Sequence, residues 1–119
     1  MTPIARVRAY VDAHLERSLT LDEIAAAAGI GKWTLVARFR EEVGTTPHRY
    51  VLERRLTRAR ELLEAGEPCV EVAYATGFFD QSHLARAFRR RYGLSPSRFV
   101  ALNRAATARG AATRNLGTP

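Results

Sequence analysis

The feature that most constrains the fold of this chain is an internal repeat. The segment IAAAAGIGKWTLVARFREEVGTTPHRYV (24–51) matches VAYATGFFDQSHLARAFRRRYGLSPSRFV (72–100), with one residue inserted in the second copy. Gly29 pairs with Gly77 at an offset of 48, and later positions pair at an offset of 49. A single insertion in a turn is a change that a repeated unit tolerates. The chain is therefore predicted to contain two copies of one supersecondary unit.

Each copy has the pattern of two helices joined by a tight turn. A small residue precedes a glycine by four positions in both copies, Ala25 before Gly29 and Ala73 before Gly77. The small residue lets a second helix cross closely, and the glycine supplies a left-handed turn. Apolar residues at helical spacing then define the inward face of the second helix: Leu35, Phe39 and Val43 in copy one, and Leu84, Phe88 and Tyr92 in copy two. This pattern is typical of a helix-turn-helix.

The opposite face of that second helix is available to a partner. On a helical wheel it carries Trp33, Val36, Ala37 and Arg40 in copy one, and Ser82, Ala85, Arg86 and Arg89 in copy two. The corresponding face of a DNA-binding helix-turn-helix enters the major groove and reads base edges. Two such faces on one chain predict a protein that binds DNA in two places.

The positive charge is concentrated in the second half of the chain. Residues 1–79 hold 11 basic and 11 acidic side chains, whereas residues 80–119 hold 8 basic and 1 acidic, which accounts for the whole net charge of +7. Eighteen of the 19 cations are arginine, the side chain suited to bidentate contacts with phosphate or guanine. This distribution favours nucleic acid as the partner of the second copy.

The coarse secondary-structure prediction is all-α, with about seven helices and no strand. The first four helices are predicted at about 3–17, 21–28, 32–43 and 47–65, and three more follow Pro68, Asp80 and Ser95. A capping box, Thr20 with Glu23, starts the second helix, and Thr46-Pro47 starts the fourth. The predicted organisation is a first helix-turn-helix subdomain (1–46), a long central linker helix (47–65), a second helix-turn-helix subdomain (66–104) and a disordered tail (105–119).

The length of the linker helix predicts how the two motifs meet DNA. About 19 residues at ~1.5 Å each give a rod of roughly 28 Å. With the width of the flanking motifs, the two recognition helices would lie about one DNA turn apart, ~34 Å. They could enter successive major grooves on one face of a duplex. The chain is therefore expected to bind DNA as a monomer, unless a further domain dimerises it.

Two long segments resemble one known family. GFFDQSHLARAFRRRYGLSPSRF (77–99) resembles the C-terminal signature of the AraC/XylS family of bacterial transcription regulators, and LTLDEIAAAAGIGKWTLVARFREEVGTTPHRY (19–50) resembles that family's first helix-turn-helix. The resemblance covers about residues 4–103. It implies two helix-turn-helix subdomains joined by a long helix, binding to double-stranded promoter DNA, and activation through RNA polymerase. It also implies base contacts from both recognition helices, which adds Lys32 and Gln81 to the outward-facing residues above.

The chain departs from the family pattern in its first recognition helix. Family members often have arginine two residues after the leucine of that helix, a position that Arg86 fills in copy two. In copy one the position is Ala37, and arginine follows one place later as Arg38, which is predicted to point sideways toward the body. Trp33, Val36 and Ala37 offer little hydrogen bonding, so the second motif is expected to carry most of the base discrimination.

Family members usually carry a separate effector-binding or dimerisation domain, and no segment of this chain fits one. Two interpretations stay open: a short stand-alone regulator, which the Met1 start favours, or an excised DNA-binding domain.

Other functional classes find little support in the residues. His14, His48 and His83 have no partner at metal-ligand or catalytic-triad spacing, and no glycine-rich phosphate loop is present. No enzymatic activity, cofactor or metal is therefore expected. The chain has no apolar run long enough to span a membrane and no signal-peptide pattern, so no membrane partner is expected. A single cysteine, Cys69, suits the cytoplasm.

One alternative from another class stays open. The same scaffold could serve as an α-helical protein-interaction module without specific DNA binding, because a fold does not determine a function. The discriminating feature is the set of cations on the second motif. A protein adaptor would not need Arg86, Arg89 and Arg91 in a segment with no acidic residue after Asp80.

Overall fold

The computed structural model describes the backbone of residues 1–117 and the side chains of residues 1–109. Within that range the chain forms seven α-helices and no strand, which confirms the all-α prediction. The helices are α1 (Pro3–Ala13), α2 (Leu21–Ala28), α3 (Lys32–Val43), α4 (Pro47–Glu64), α5 (Cys69–Ala75), α6 (Gln81–Tyr92) and α7 (Pro96–Gly117). α2 with α3 and α5 with α6 are the two helix-turn-helix units, and α4 connects them.

The helix starts follow the capping signals of the sequence. Thr20 Oγ1 accepts a hydrogen bond from the Glu23 amide, and the Glu23 side chain accepts one from the Thr20 amide, which completes the predicted capping box at α2. Thr46 caps α4 by accepting from the amide of Arg49. Asp80 caps α6 by accepting from the amide of His83 at 2.8 Å. Each cap satisfies an amide that the first turn of the helix leaves unpaired.

The first and last helices differ from the sequence prediction. α1 ends at Ala13, four residues before the predicted end, yet Leu15 is still buried in the core. Leu15 fits the apolar spacing of α1 although it lies beyond the helix, because the turn that follows α1 also places this side chain in the core. At the other end, α7 continues to Gly117 through the segment predicted to be a disordered tail. This segment is rich in alanine, which has the highest helix propensity; residues 118 and 119 lie outside the described residues.

Two hydrophobic cores are arranged around the central helix α4. The buried members of the first core are Ile4, Val7, Val11, Leu15, Ile24, Ala25, Ala28, Leu35, Phe39 and Val51. The buried members of the second are Leu56, Ala59, Leu63, Val72, Ala73, Phe78, Leu84 and Phe88. α4 therefore supplies Val51 to one core and its later turns to the other. Each helix-turn-helix packs on a different end of the same rod.

The two halves also contact each other directly. The side chain of Arg55 on α4 donates to the carbonyl of Leu15 (3.1 Å) and to the carbonyl of Arg17 (2.7 Å). Gly77, in the turn of the second motif, has φ of +81°, and a Cβ placed there would lie 2.1 Å from the Leu15 carbonyl oxygen. The turn of the second motif thus rests against the turn that follows α1. This contact limits the freedom of one motif relative to the other.

Candidate nucleic-acid interface

The first recognition helix, α3, is anchored by two fully buried side chains. Leu35 and Phe39 hold its inward face against α1 and α2, as their spacing predicts. The rings of Phe39 and Tyr50 pack in a T-shaped arrangement, with centroids 5.2 Å apart. The helix ends at Gly44, whose φ of +86° is left-handed. These anchors set the direction in which the remaining side chains of α3 point.

The predicted contact residues of α3 divide into two groups. Trp33, Ala37 and Arg40 are exposed, and 75% of the Trp33 side chain is open to solvent. Lys32 and Val36 are half-buried. The Lys32 ammonium lies 3.6 Å from Asp22 and 5.2 Å from the centre of the Trp33 ring, so it is partly neutralised at this position. Arg40 is therefore the exposed cation among these five residues.

Val36 lies toward the protein body as well as toward solvent. It lines a small cavity of about 220 Å³ together with side chains of α2 and α4, including Leu21 and Pro47. Its outward position was predicted from the helical wheel, but the wheel does not show how closely a neighbouring helix approaches. Base contact by Val36 stays a prediction.

The second recognition helix, α6, repeats this geometry with more charge. Leu84 and Phe88 are fully buried and hold it on the second core. The predicted contact residues Gln81, Ser82, Arg86 and Arg89 are exposed, and Ala85 is half-buried. The outward face of α6 therefore offers an amide, a hydroxyl and two guanidinium groups. These groups are the donors that distinguish bases or hold phosphates in the major groove.

A basic cleft separates α6 from the first turns of α4. It has a volume of about 500 Å³, and the residues that line it include four arginines and one histidine: Arg49, Arg86, Arg90, Arg91 and His83. One of these cations is neutralised, because Arg91 Nε donates to Glu53 Oε2 at 2.8 Å. Within the described part of the chain, no ion pair or side-chain hydrogen bond is formed by the guanidinium groups of Arg49, Arg86 and Arg90. An anion would relieve the repulsion between them.

Sequence reasoning did not assign Arg49 or Arg90 to the site. Arg90 belongs to the arginine run of α6 but lies on the flank of the helix, not on the face predicted to enter the groove. Arg49 is on α4, 37 positions earlier in the chain than Arg86. No local pattern connects the two residues. Packing of α4 against α6 brings them to one cleft.

Comparison with known proteins decides the family. Residues 24–101 match a family model described as a helix-turn-helix domain, and the solved structures that resemble the chain include a transcriptional regulator with an AraC-type DNA-binding domain. The chain belongs to the AraC family. Both the family and the two-motif fold predicted from the sequence are confirmed.

Curated relatives of this AraC-family chain are longer than it is. A probable transcriptional regulator from Photobacterium leiognathi, LumQ, is 38% identical over 91 residues, which is 76% of this chain and 37% of the relative. The transcriptional activator RhaS of Escherichia coli O139:H28 is 34% identical over 89 residues, 74% of this chain and 32% of the relative. The chain thus spans about a third of the length of these relatives.

Two solved structures resemble this AraC-family chain closely. The DNA-binding domain of AdpA, determined in complex with a target DNA, has a TM-score of 0.84 and 33% identity over 89% of this chain and 96% of that domain. An AraC-type regulator from Chromobacterium violaceum has a TM-score of 0.79 and 29% identity over 85% of this chain and 91% of that one. In the described part of this chain, no helix is long and apolar enough to cross a membrane.

Proposed function

We propose that this chain binds double-stranded promoter DNA by inserting α3 and α6 into successive major grooves, and that it regulates transcription. Residues 1–46 and 66–104 would act as the two DNA-binding subdomains. The observation that carries the proposal is the pair of repeated recognition helices, each anchored by two buried side chains with its opposite face exposed. Membership of the AraC family and the DNA complex of the AdpA domain support it.

The basic cleft would contribute binding affinity that does not depend on the base sequence. Arg49, Arg86 and Arg90 converge between the central helix and the second recognition helix, next to the face predicted to enter the groove. A phosphate placed there would meet guanidinium groups that have no protein partner among the described residues. Contacts of this kind fix the position of the protein on the duplex, whereas base contacts specify the site. We propose that Arg49 and Arg90 contact phosphates, and that Arg86 lies where it can reach both a phosphate and a base edge.

Three further parts of the function are proposed on the same basis. The direction of regulation is activation, with RNA polymerase as protein partner, because RhaS is named an activator. The compartment is the cytoplasm, where promoter DNA is found in bacteria. The chain catalyses no reaction, since its relatives are named as transcription regulators.

Salt dependence tests the DNA-binding proposal. Binding to random and selected duplexes should be measured at several salt concentrations. With roughly 6 phosphates neutralised, the slope of log K against log salt is expected near −5. Replacing Arg90 by alanine should reduce the steepness of the slope by about 1 on every sequence. The matched control is Arg91→Ala, whose guanidinium is already paired with Glu53 and should change the slope less.

The same measurements separate DNA binding from the alternative function. A wild-type slope flatter than about −2 would contradict DNA as the main partner and would favour a protein-interaction module on this scaffold. Selection of bound sequences from a random DNA pool should in addition return a motif with two half-sites about one turn apart. Enrichment of a single short half-site would contradict simultaneous use of both motifs.

A further inference from the structure

The inserted residue that distinguishes the two repeat copies can be identified from the structure. The N-cap of the first recognition helix is Gly31 and that of the second is Asp80, so these two positions correspond. Ile30 packs against the first core and Phe78 is buried in the second, so they also correspond. The residue left without a counterpart is Phe79. The insertion therefore adds one phenylalanine to the turn before α6.

Packing does not explain this phenylalanine. The side chain of Phe79 is 83% exposed, whereas its neighbour Phe78 is 5% exposed and supplies the buried contact of the turn. Asp80 still caps α6 despite the insertion. Exposure of an aromatic ring to water is unfavourable, at roughly 25 cal/mol per Å² of apolar surface. A contact with a partner would recover that free energy.

The first motif has an exposed aromatic residue near the start of its own recognition helix. Trp33 is the second residue of α3 and is 75% exposed. At the 49-residue offset of the repeat, its counterpart on α6 is Ser82. The second recognition helix thus lacks the aromatic group of the first, and Phe79 presents one just before the helix begins. Residues at the start of a recognition helix are those that contact base edges in the major groove.

The turn that contains Phe79 carries no cationic side chain of its own. No lysine or arginine occurs between Arg60 and Arg86 in the sequence, and Asp80 follows Phe79 directly. This turn has no side chain of its own that could hold a phosphate. Among the groups exposed in the major groove, the 5-methyl group of thymine is the one that a phenylalanine ring contacts favourably.

We propose that Phe79 is a specificity-determining residue of the second motif, and that its ring contacts the methyl group of a thymine at the edge of the major groove. This inference rests on the proposed function, because it places α6 in that groove. It predicts a preference for thymine at one position next to the bases that α6 reads.

A methyl-deletion cycle tests the contact. The binding site is first selected with the wild-type chain, and each conserved thymine in the half-site of the second motif is then replaced by deoxyuridine, which removes only the methyl group. At one position, wild type is expected to lose about fourfold in affinity, the effect of one buried methyl group. Phe79→Ala should bind the thymine duplex roughly 5- to 20-fold more weakly and should no longer distinguish uracil from thymine.

Two matched variants control for general effects of removing an aromatic ring. Tyr74→Ala removes an exposed aromatic side chain (62%) from α5, outside the turn, and should change affinity by less than about twofold. Trp33→Ala should weaken binding while leaving the effect of uracil in the second half-site unchanged. Phe79→Leu should retain part of the thymine preference. Thermal unfolding of each variant verifies that it is folded.

Each alternative outcome has a distinct meaning. If wild type binds its selected site and Phe79→Ala binds equally well, the inference is wrong, and the ring is free for a protein partner instead. An equal loss on thymine and uracil duplexes would also overturn it, because the ring would then contact only the backbone. If wild type itself fails to bind duplex DNA, it is the proposed function that fails.

Discussion

At the residue scale, Arg86 and Arg89 offer similar chemistry but are expected to act differently. Both are exposed on α6, but Arg86 lies opposite the buried Leu84 and Phe88, at the centre of the outward face, whereas Arg89 lies to one side of it. We expect Arg86→Ala to cost about 1–3 kcal/mol and to relax the preference at one or two base pairs. Arg89→Ala should weaken binding to all sequences alike, because a flanking arginine usually contacts phosphate.

The measurement is the binding motif of each variant, determined by selection from a random DNA pool. Ala37→Arg, which restores a side chain that the family often has, should raise affinity or add a preference for guanine in the first half-site. An unchanged motif for Arg86→Ala, together with a lost base preference for Trp33→Ala, would mean that the first motif reads the bases and that the assignment is reversed.

A second residue-scale prediction concerns acid stability. Glu23 accepts hydrogen bonds from Arg17 and from the Tyr10 hydroxyl, and these contacts lower the pKa of Glu23 from 4.5 to about 2. Because the folded pKa is depressed, the stabilisation is complete above about pH 4.5 and is lost as the pH falls toward about 2. The difference in free energy of unfolding between wild type and Glu23→Gln should therefore decrease as the pH is lowered from about 4.5 toward about 2.

Urea unfolding of both proteins at several pH values between 7 and 2.5 measures this effect. Asp22→Asn is a suitable control, because Asp22 is an exposed neighbour on the same helix and its one ion pair among the described side chains is a 3.6 Å contact with Lys32. A difference between wild type and Glu23→Gln that stayed constant with pH would mean that the Arg17 and Tyr10 contacts do not persist in solution.

At the element scale, the two turns of the repeat are locally alike but have different surroundings. Gly29 and Gly77 both have positive φ, so alanine at either position pays the cost of a left-handed conformation, about 1–2 kcal/mol. A Cβ at Gly29 would have no atom within 4 Å, whereas one at Gly77 would overlap the Leu15 carbonyl oxygen. We expect Gly77→Ala to be the more destabilising of the two, with a total cost above about 2 kcal/mol.

Chemical denaturation of the two glycine variants checks this prediction, and each serves as the control for the other. Gly77→Ala should also weaken binding to a two-half-site duplex more than binding to an isolated half-site, because a displaced turn changes the relation between the motifs. Equal destabilisation by both substitutions would show that the turn of the second motif does not pack tightly against the Leu15 carbonyl.

At the scale of the whole molecule, a single chain is proposed to bridge two grooves. α4 has 18 residues, about 27 Å of helix, and the Arg55 contacts with Leu15 and Arg17 restrain the first motif relative to it. One chain should therefore bind a site of about two turns, ~20 bp. Sedimentation of the complex should give one protein per site; two proteins on a short site would contradict the geometry.

Altered spacing of the half-sites tests the same restraint from the side of the DNA. Inserting about 5 bp between the half-sites rotates one of them by half a turn, so that only one motif can bind. Affinity should fall to that of a single half-site. An insertion of about 10 bp returns the two half-sites to the same face of the duplex but moves them ~34 Å further apart. A connector of fixed length cannot span that added distance. Full affinity with either insertion would indicate a flexible connection.

Much of this fold could be predicted from the sequence because its signals are local. Each helix start is set by a cap within a few residues of it: the capping box at Thr20 and the N-caps Thr46 and Asp80. The buried face of each recognition helix follows from apolar spacing within that helix, and the repeat shows that the same unit occurs twice. Helical periodicity predicts the outward faces of α3 and α6, but it does not show that neighbouring helices partly cover Val36. The charge concentrated after Asp80 also follows directly from the order of residues.

Tertiary structure alone decided the features that join distant parts of the chain. Gly77 and Leu15 are 62 positions apart, and no sequence pattern shows that the turn of one motif rests against a carbonyl near the other. The convergence of Arg49 with Arg86 and Arg90 likewise depends on how α4 packs against α6. Helical periodicity specifies which side of each helix is buried, but the packing of whole helices determines which surfaces meet.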